Sequence, residues 1–103
     1  MDTQSRVTAL QKDLIDLIED LATEKFIDAF DVAILTLRLG LEGKKCATLT
    51  ETGKVLQRSP EWIRSRQYLI LKRKIRNPYF FQKLEMYSQY AKLPRGISRR
   101  GSQ

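Results

Sequence analysis

The sequence contains no histidine and a single cysteine, Cys46. A disulfide within the chain is therefore excluded, and a zinc site is not expected, because zinc is usually held by several cysteines and histidines. The missing histidines also remove the commonest general base, and no paired carboxylates or nucleotide-binding glycine pattern replace them. We therefore expect a protein that is not an enzyme and that needs no metal or cofactor.

Long apolar runs are also missing. No stretch approaches the roughly 20 apolar residues that cross a bilayer, and residues 1–4 lack the basic-then-apolar pattern of a secretory signal. We therefore expect a cytoplasmic protein without a membrane partner. The chain has 103 residues, of which 42% are hydrophobic, and this suffices for one compact domain.

Acidic residues are scarce in the second half of the chain. Residues 54–103 carry thirteen basic residues against two acidic ones, Glu61 and Glu85, whereas residues 1–53 carry six basic and ten acidic ones. The net charge of +7 thus combines a half of −4 with a half of +11. A segment this basic indicates a polyanionic partner, and we expect nucleic acid. The alternative is a solubilising surface.

Helical periodicity predicts an all-α domain of about five helices. The first helix lies within an N-terminal unit, residues 1–23. Its apolar stripe, which runs from Val7 to Leu21, packs either on its own domain or in a homodimer. Residues 24–92 form the main domain, whose first helix is predicted over residues 24–39, is strongly apolar and ends at Gly40. Residues 93–103 are predicted to be a flexible basic tail.

The middle of the chain holds two strong signals for helix starts. Thr48 and Glu51 have the spacing of a capping box, in which each side chain binds the other residue's backbone N–H. Ser59 followed by Pro60 is typical of an N-cap and a first helical position. The predicted helices cover residues 48–57, 59–76 and 78–92.

A short helix, a three-residue turn (residues 57–59) and a longer basic helix are typical of a helix-turn-helix, although other helical packings share the pattern. The second helix of such a motif enters the major groove. There, arginine binds guanine and glutamate accepts from cytosine, while later basic residues bind phosphates. The candidate DNA-binding residues are Lys54, Arg58, Ser59, Glu61, Trp62, Arg64, Ser65, Arg66, Lys72, Arg73 and Arg76.

Four segments share their order and spacing with a known family. Residues 33–41 end in Arg-Leu-Gly-Leu, residues 48–53 read Thr-Leu-Thr-Glu-Thr-Gly, residues 59–64 read Ser-Pro-Glu-Trp-Ile-Arg, and residues 75–78 read Ile-Arg-Asn-Pro. Over about residues 26–90 the chain resembles the fourth conserved region of bacterial primary-type sigma factors. The resemblance implies a helix-turn-helix that reads the promoter's minus-thirty-five element and docks on the flap of the RNA polymerase β subunit.

The resemblance places Glu61 and Arg64 at base-reading positions. Pro60, Trp62 and Ser65 depart from the family's residues, so the scaffold is retained and the reading face altered. Arg66 stands where the family has a buried isoleucine, and about one residue is inserted between it and residue 75, which predicts an irregular helix. The polymerase-binding residues implied by the resemblance are Phe30, Ile34, Leu37, Arg38 and Leu41.

These observations predict a nucleoid-associated transcriptional regulator that binds double-stranded DNA at promoters and contacts RNA polymerase. The alternative is a protein-interaction module on the same scaffold, which binds RNA polymerase or a sigma-directed regulator and reads little DNA.

Overall fold

The protein is all-α, as the sequence predicts. A computed structural model describes residues 2–94 and residue 97, and no strand occurs among them. None of the helices in this part of the chain is long and apolar enough to span a bilayer. The elements are α1 (Thr3–Thr23), α2 (Ala29–Leu39), α3 (Leu49–Leu56), α4 (Pro60–Leu69), a π-helix (Ile70–Lys74) and α5 (Pro78–Ser88).

The apolar stripe of α1 packs on α5 and α2. At this contact the Tyr87 hydroxyl donates a 2.8 Å hydrogen bond to the Leu39 carbonyl and accepts one of 3.2 Å from the Gln11 amide. The stripe is therefore used within the domain, and a homodimer through α1 stays a prediction. The buried residues of α1 are Leu10, Leu14, Ile18 and Leu21.

Helix α2 begins later than the sequence analysis predicts. Asp28 and Asp31 form a capping box, with the two backbone-to-carboxylate hydrogen bonds at 3.0 and 3.1 Å. Lys25 adopts a left-handed conformation (φ 68°) that ends α1, and Phe26 lies in the connection with 53% of its surface exposed. The start at residue 24 was wrong because it relied on apolar content. The end at Gly40, in the left-handed conformation, is confirmed.

The predicted starts of α3 and α4 are confirmed. The Thr48 hydroxyl accepts from the Glu51 N–H at 3.0 Å, and the Glu51 carboxylate accepts from the Thr48 N–H at 2.9 Å. The Ser59 hydroxyl accepts from the Trp62 N–H at 3.1 Å, and Pro60 is the first residue of α4. Both helix starts are thus formed by residues close in sequence.

Gly53 allows the chain to turn tightly between α3 and α4. A Cβ atom at this position would lie too close to the carbonyl oxygen of Arg58 in the turn. Gln57, at the end of α3, adopts a left-handed conformation (φ 60°) that reverses the chain. The absence of a side chain at residue 53 therefore lets the turn approach α3.

The predicted helix over residues 59–76 is interrupted. Helix α4 ends at Leu69, and five residues of π-helix follow, closed by a 3.0 Å hydrogen bond from the Ile75 N–H to the Ile70 carbonyl. A π-helix holds one more residue per turn than an α-helix. It lies within the interval where the resemblance implied one inserted residue.

Two residues of the predicted tail pack on the domain. Leu93 is half-buried and Ile97 is fully buried against the core, so they are not free in solution. The flexible basic tail over residues 93–103 stays a prediction, although apolar side chains pack Leu93 and Ile97 on the core. The tail arginines Arg95, Arg99 and Arg100 lie outside the described residues.

Candidate nucleic-acid interface

Helices α3 and α4 pack on each other across the turn of residues 57–59 and form a helix-turn-helix unit. The inner face of α4 is buried at Ile63 and Gln67. The π-helix continues the buried face at Ile70 and Leu71. The outer face of α4 therefore points into solvent. Its exposed residues are Glu61, Arg64, Ser65, Tyr68 and Leu69.

Positive charge surrounds this outer face. Between residues 49 and 76 the only acidic residues are Glu51 and Glu61. A surface with this excess of cations attracts the phosphates of a duplex. The exposed basic residues of this segment are Lys54, Arg58, Arg64, Lys72, Arg73 and Arg76.

Arg64 is exposed and only loosely held. Its guanidinium forms an ion pair of 2.5 Å with Glu61, and the two side chains keep 63% and 77% of their surface exposed. Such pairs contribute at most about 1 kcal/mol. Arg64 can therefore exchange its partner for a base or a phosphate at small cost, and Ser65 beside it is exposed as well.

Arg66 points toward α2 instead of toward solvent. Its guanidinium donates to Asp31 at 2.7 Å and to Asp28 at 2.9 Å, and its side chain is 23% exposed. The hydrogen bond with Asp31 raises the pKa of Arg66. Although Arg66 was a candidate for DNA binding, its position fits the role of a residue that holds α4 against α2.

Asp31 joins three elements. Its buried carboxylate accepts from Arg66 of α4 and from Lys74 of the π-helix, at 2.7 and 2.6 Å. Burial alone favours the protonated acid, but these hydrogen bonds and that from the Asp28 N–H outweigh it and lower the pKa of Asp31. The ionised carboxylate thus fixes the orientation of the second helix of the motif.

Trp62 packs on α2. Its ring meets that of Phe30 edge to face, with the centroids 5.6 Å apart. The Arg58 guanidinium lies 4.9 Å from the Phe30 centroid and 5.2 Å from that of Trp62. Ser59 is the N-cap described above. These side chains support the start of α4, and Arg58 also remains exposed.

Three of the five expected polymerase-binding residues lie inside the domain. Ile34 and Leu41 belong to the core, and Arg38 is only 3% exposed. The Arg38 side chain donates to Gln67 and to the Ala47 carbonyl, both at 2.7 Å, and burial lowers its pKa. A docking partner cannot reach these three in this arrangement, because the core and the hydrogen bonds occupy them. Phe30 and Leu37 remain half-buried at the surface.

Sequence reasoning missed Tyr68 and Gln67, and it did not predict that Lys74 turns inward to Asp31. Tyr68 is 57% exposed on the outer face of α4, and Lys72 lies 5.7 Å from its ring centroid. Its spacing of three and seven residues from Ser65 and Glu61 was the signal that could have found it. Gln67 and Lys74 act through contacts with distant residues, which no local pattern shows.

Comparisons of the chain with protein-family models, with curated proteins and with solved structures found no match. Among the described residues, no group of three or more histidine, cysteine or acidic residues is placed to hold a metal ion.

Proposed function

We propose that this protein is a transcriptional regulator that binds double-stranded DNA at promoters, with α4 in the major groove. One observation carries the proposal. The outer face of α4 is exposed, basic at its margins and held at a fixed angle by a buried network on its inner side. A helix presented in this way has the shape and charge that major-groove recognition requires.

The positions of the side chains separate the residues proposed to contact bases from those proposed to contact phosphates. Glu61, Arg64 and Ser65 lie in the first turns of α4, which face base edges in helix-turn-helix proteins. Lys72, Arg73 and Arg76 follow in and after the π-helix, where the chain leaves the groove and meets the phosphates. Lys54 on the first helix of the motif and Arg58 in its turn are exposed, and the proposal assigns them to phosphate contacts.

The first experiment measures binding of fluorescent duplex DNA across a salt series. When phosphate contacts drive binding, the logarithm of the association constant falls linearly with the logarithm of the salt concentration. The slope is about −0.9 for each neutralised phosphate. We expect measurable binding at low salt and a slope that corresponds to several phosphates. Absence of binding at low salt would exclude the proposal.

A second experiment separates base reading from phosphate contact. Duplexes selected from a random pool are tested against Arg64→Ala and Lys72→Ala. We expect Arg64→Ala to relax the base preference at one or two positions of the duplex. Lys72→Ala should weaken binding to all sequences alike and reduce the salt-dependence slope by about one. If both variants weaken all sequences equally, Arg64 does not read bases.

The second candidate function is a protein-interaction module. Exposed apolar side chains on α3 and α4 favour it: Val55 is 65% exposed and Leu69 39%, beside Tyr68. Exposed apolar surface often marks a contact with another protein. Selection of DNA with and without purified RNA polymerase discriminates the two, because a module without its own reading enriches no sequence when polymerase is absent.

A further inference from the structure

A cleft lies away from the helix-turn-helix, between α1, the loop after α2 and the segment after α5. Its volume is about 540 Å³, which is within the usual range of about 300–1,000 Å³ for ligand sites. No residue of α3 or α4 lines it. The residues that matter for its chemistry are Lys44, Lys45, Lys92, Gln4, Gln11 and Tyr87.

The cleft is positively charged and uncompensated. Lys44, Lys45 and Lys92 line it, and no acidic residue does. None of the three has an ion-pair partner within the part of the chain that the structure describes, whereas Lys12 and Lys83 are paired with aspartates. Lys44 and Lys45 belong to the half of the chain that is acidic overall, and Lys92 belongs to the basic half.

The floor of the cleft is rigid. The Gln11 amide donates to the Gly40 carbonyl and to the Tyr87 hydroxyl, at 3.3 and 3.2 Å. Gly40 is left-handed, and a Cβ on it would collide with the Lys44 carbonyl, so the lysine-bearing loop lies tightly against the end of α2. The loop is thus held in place before any ligand arrives, which lowers the entropic cost of binding.

We propose that this cleft binds phosphate groups. Lysine ammonium groups bind phosphate as compact point charges. A concave wall around them strengthens the potential. This site goes beyond the proposed function, because it needs no helix-turn-helix. Its phosphate comes either from a free phosphorylated molecule or from the backbone of nucleic acid.

The backbone source has a structural path. Lys92 also lines a neighbouring cleft of about 500 Å³ together with Thr48, Leu49 and Thr50, at the start of α3. The lysine cleft therefore continues toward the first helix of the proposed DNA-binding motif. A duplex held by α4 would meet these lysines only if its backbone follows this path.

The first arm of the test uses inorganic pyrophosphate and the full chain. Amide chemical shifts are followed by NMR at low salt, and we expect saturable changes concentrated at residues 44–46 and 92. The double variant Lys44→Gln/Lys45→Gln should bind about tenfold more weakly, since two of three charges are lost. Lys12→Gln/Lys25→Gln removes the same charge outside the cleft and should bind as the parent does.

The second arm repeats the DNA salt series with both double variants. If the backbone is the source, the slope of the cleft variant falls by about two and that of the control does not. If the source is a free molecule, the slope is unchanged while pyrophosphate still binds. Because the first arm contains no DNA, its result does not depend on the proposed function.

Three outcomes overturn the proposal. One is the absence of saturable changes at residues 44–46 and 92 together with an unchanged slope. Another is a pattern of changes equally strong around Lys54 and Arg73. The third is an equal loss in the control variant, which would mean that only the total charge of the chain matters.

Discussion

The Asp31 carboxylate, which has no exposed surface, accepts a 2.6 Å hydrogen bond from the ammonium of Lys74. Residue 31 lies in the first turn of α2, and residue 74 ends the π-helix. The same carboxylate also binds Arg66, eight residues earlier on α4. One buried charge therefore sets the angle between the first half of the domain and the helix that we propose to enter DNA.

We expect Asp31→Asn to lower the free energy of unfolding by about 3 kcal/mol, because it leaves two cations facing a neutral amide in a largely dry site. Urea denaturation measures this. The control is Asp16→Asn, whose partner Lys12 is exposed, and its cost should stay within about 0.5 kcal/mol. Equal losses in the two variants would show that the buried network contributes nothing special.

The same carboxylate makes stability depend on pH. Burial favours the protonated acid, but the hydrogen bonds from Arg66 and Lys74 hold the pKa of Asp31 below its ordinary value of 3.8. The stability that the ionised form contributes is complete above this value, and it is lost as the pH falls through the folded-state pKa.

The difference in unfolding free energy between the parent and Asp31→Asn should therefore be constant from about pH 7 to about pH 5 and shrink below about pH 4. Urea denaturation at a series of pH values measures it. A difference that stays the same down to about pH 2.5 would contradict the assignment of the shift to this group.

Gly53→Ala gives a prediction whose sign is diagnostic. Replacement of glycine by alanine within a helix usually stabilises by up to about 1 kcal/mol. Here the added Cβ meets the backbone carbonyl of Arg58, which cannot move without opening the turn. We expect a loss of about 1–3 kcal/mol in thermal or urea unfolding. Thr50→Ala, at an exposed site in the same helix, should be neutral or stabilising. A stabilised Gly53→Ala protein would refute the close approach.

Arg64 and Arg66 are two residues apart and should respond oppositely. Arg64→Ala is expected to weaken binding to the preferred duplex by about 1–3 kcal/mol. It should leave folding intact, because the Arg64 side chain is exposed. Arg66→Ala should instead lower the unfolding free energy by about 1–3 kcal/mol, since it uncovers part of Asp31. The sequence preference measured below the melting temperature should stay the same for Arg66→Ala, because Arg66 faces Asp31 and not solvent. The reverse pattern would return Arg66 to the DNA-contacting surface.

Features set by neighbouring residues could be predicted from the sequence. The starts of α3 and α4 depend on side chains that bind backbone groups three residues away, so Thr48, Glu51 and Ser59 are sufficient evidence for them. The capping box of Asp28 and Asp31 is equally local. Its spacing indicates the start of α2 at residue 29, whereas apolar content indicated residue 24.

Features set by distant contacts could not be predicted in this way. Arg66 and Arg38 are basic residues on helices, and nothing nearby in sequence indicates that each turns inward. Their side-chain partners lie 29 to 38 residues away, and Arg38 also donates to the Ala47 carbonyl, nine residues along the chain. The helix-turn-helix pattern assigned Arg66 to the DNA surface, although the resemblance set it where the family has a buried isoleucine, and the resemblance assigned Arg38 to a partner. In the structure both guanidinium groups donate to acceptors inside the domain, while Arg64 and Lys72 stay exposed as expected.

The hydrogen bond between Gln11 of α1 and Tyr87 of α5 joins residues separated by 76 positions. All the helices described between them lie inside the loop that this contact closes. Closure of so long a loop is slow relative to local helix formation. We therefore expect the contacts that hold α4 and the π-helix against α2, which join residues 29 to 43 positions apart, to form before α5 docks on α1.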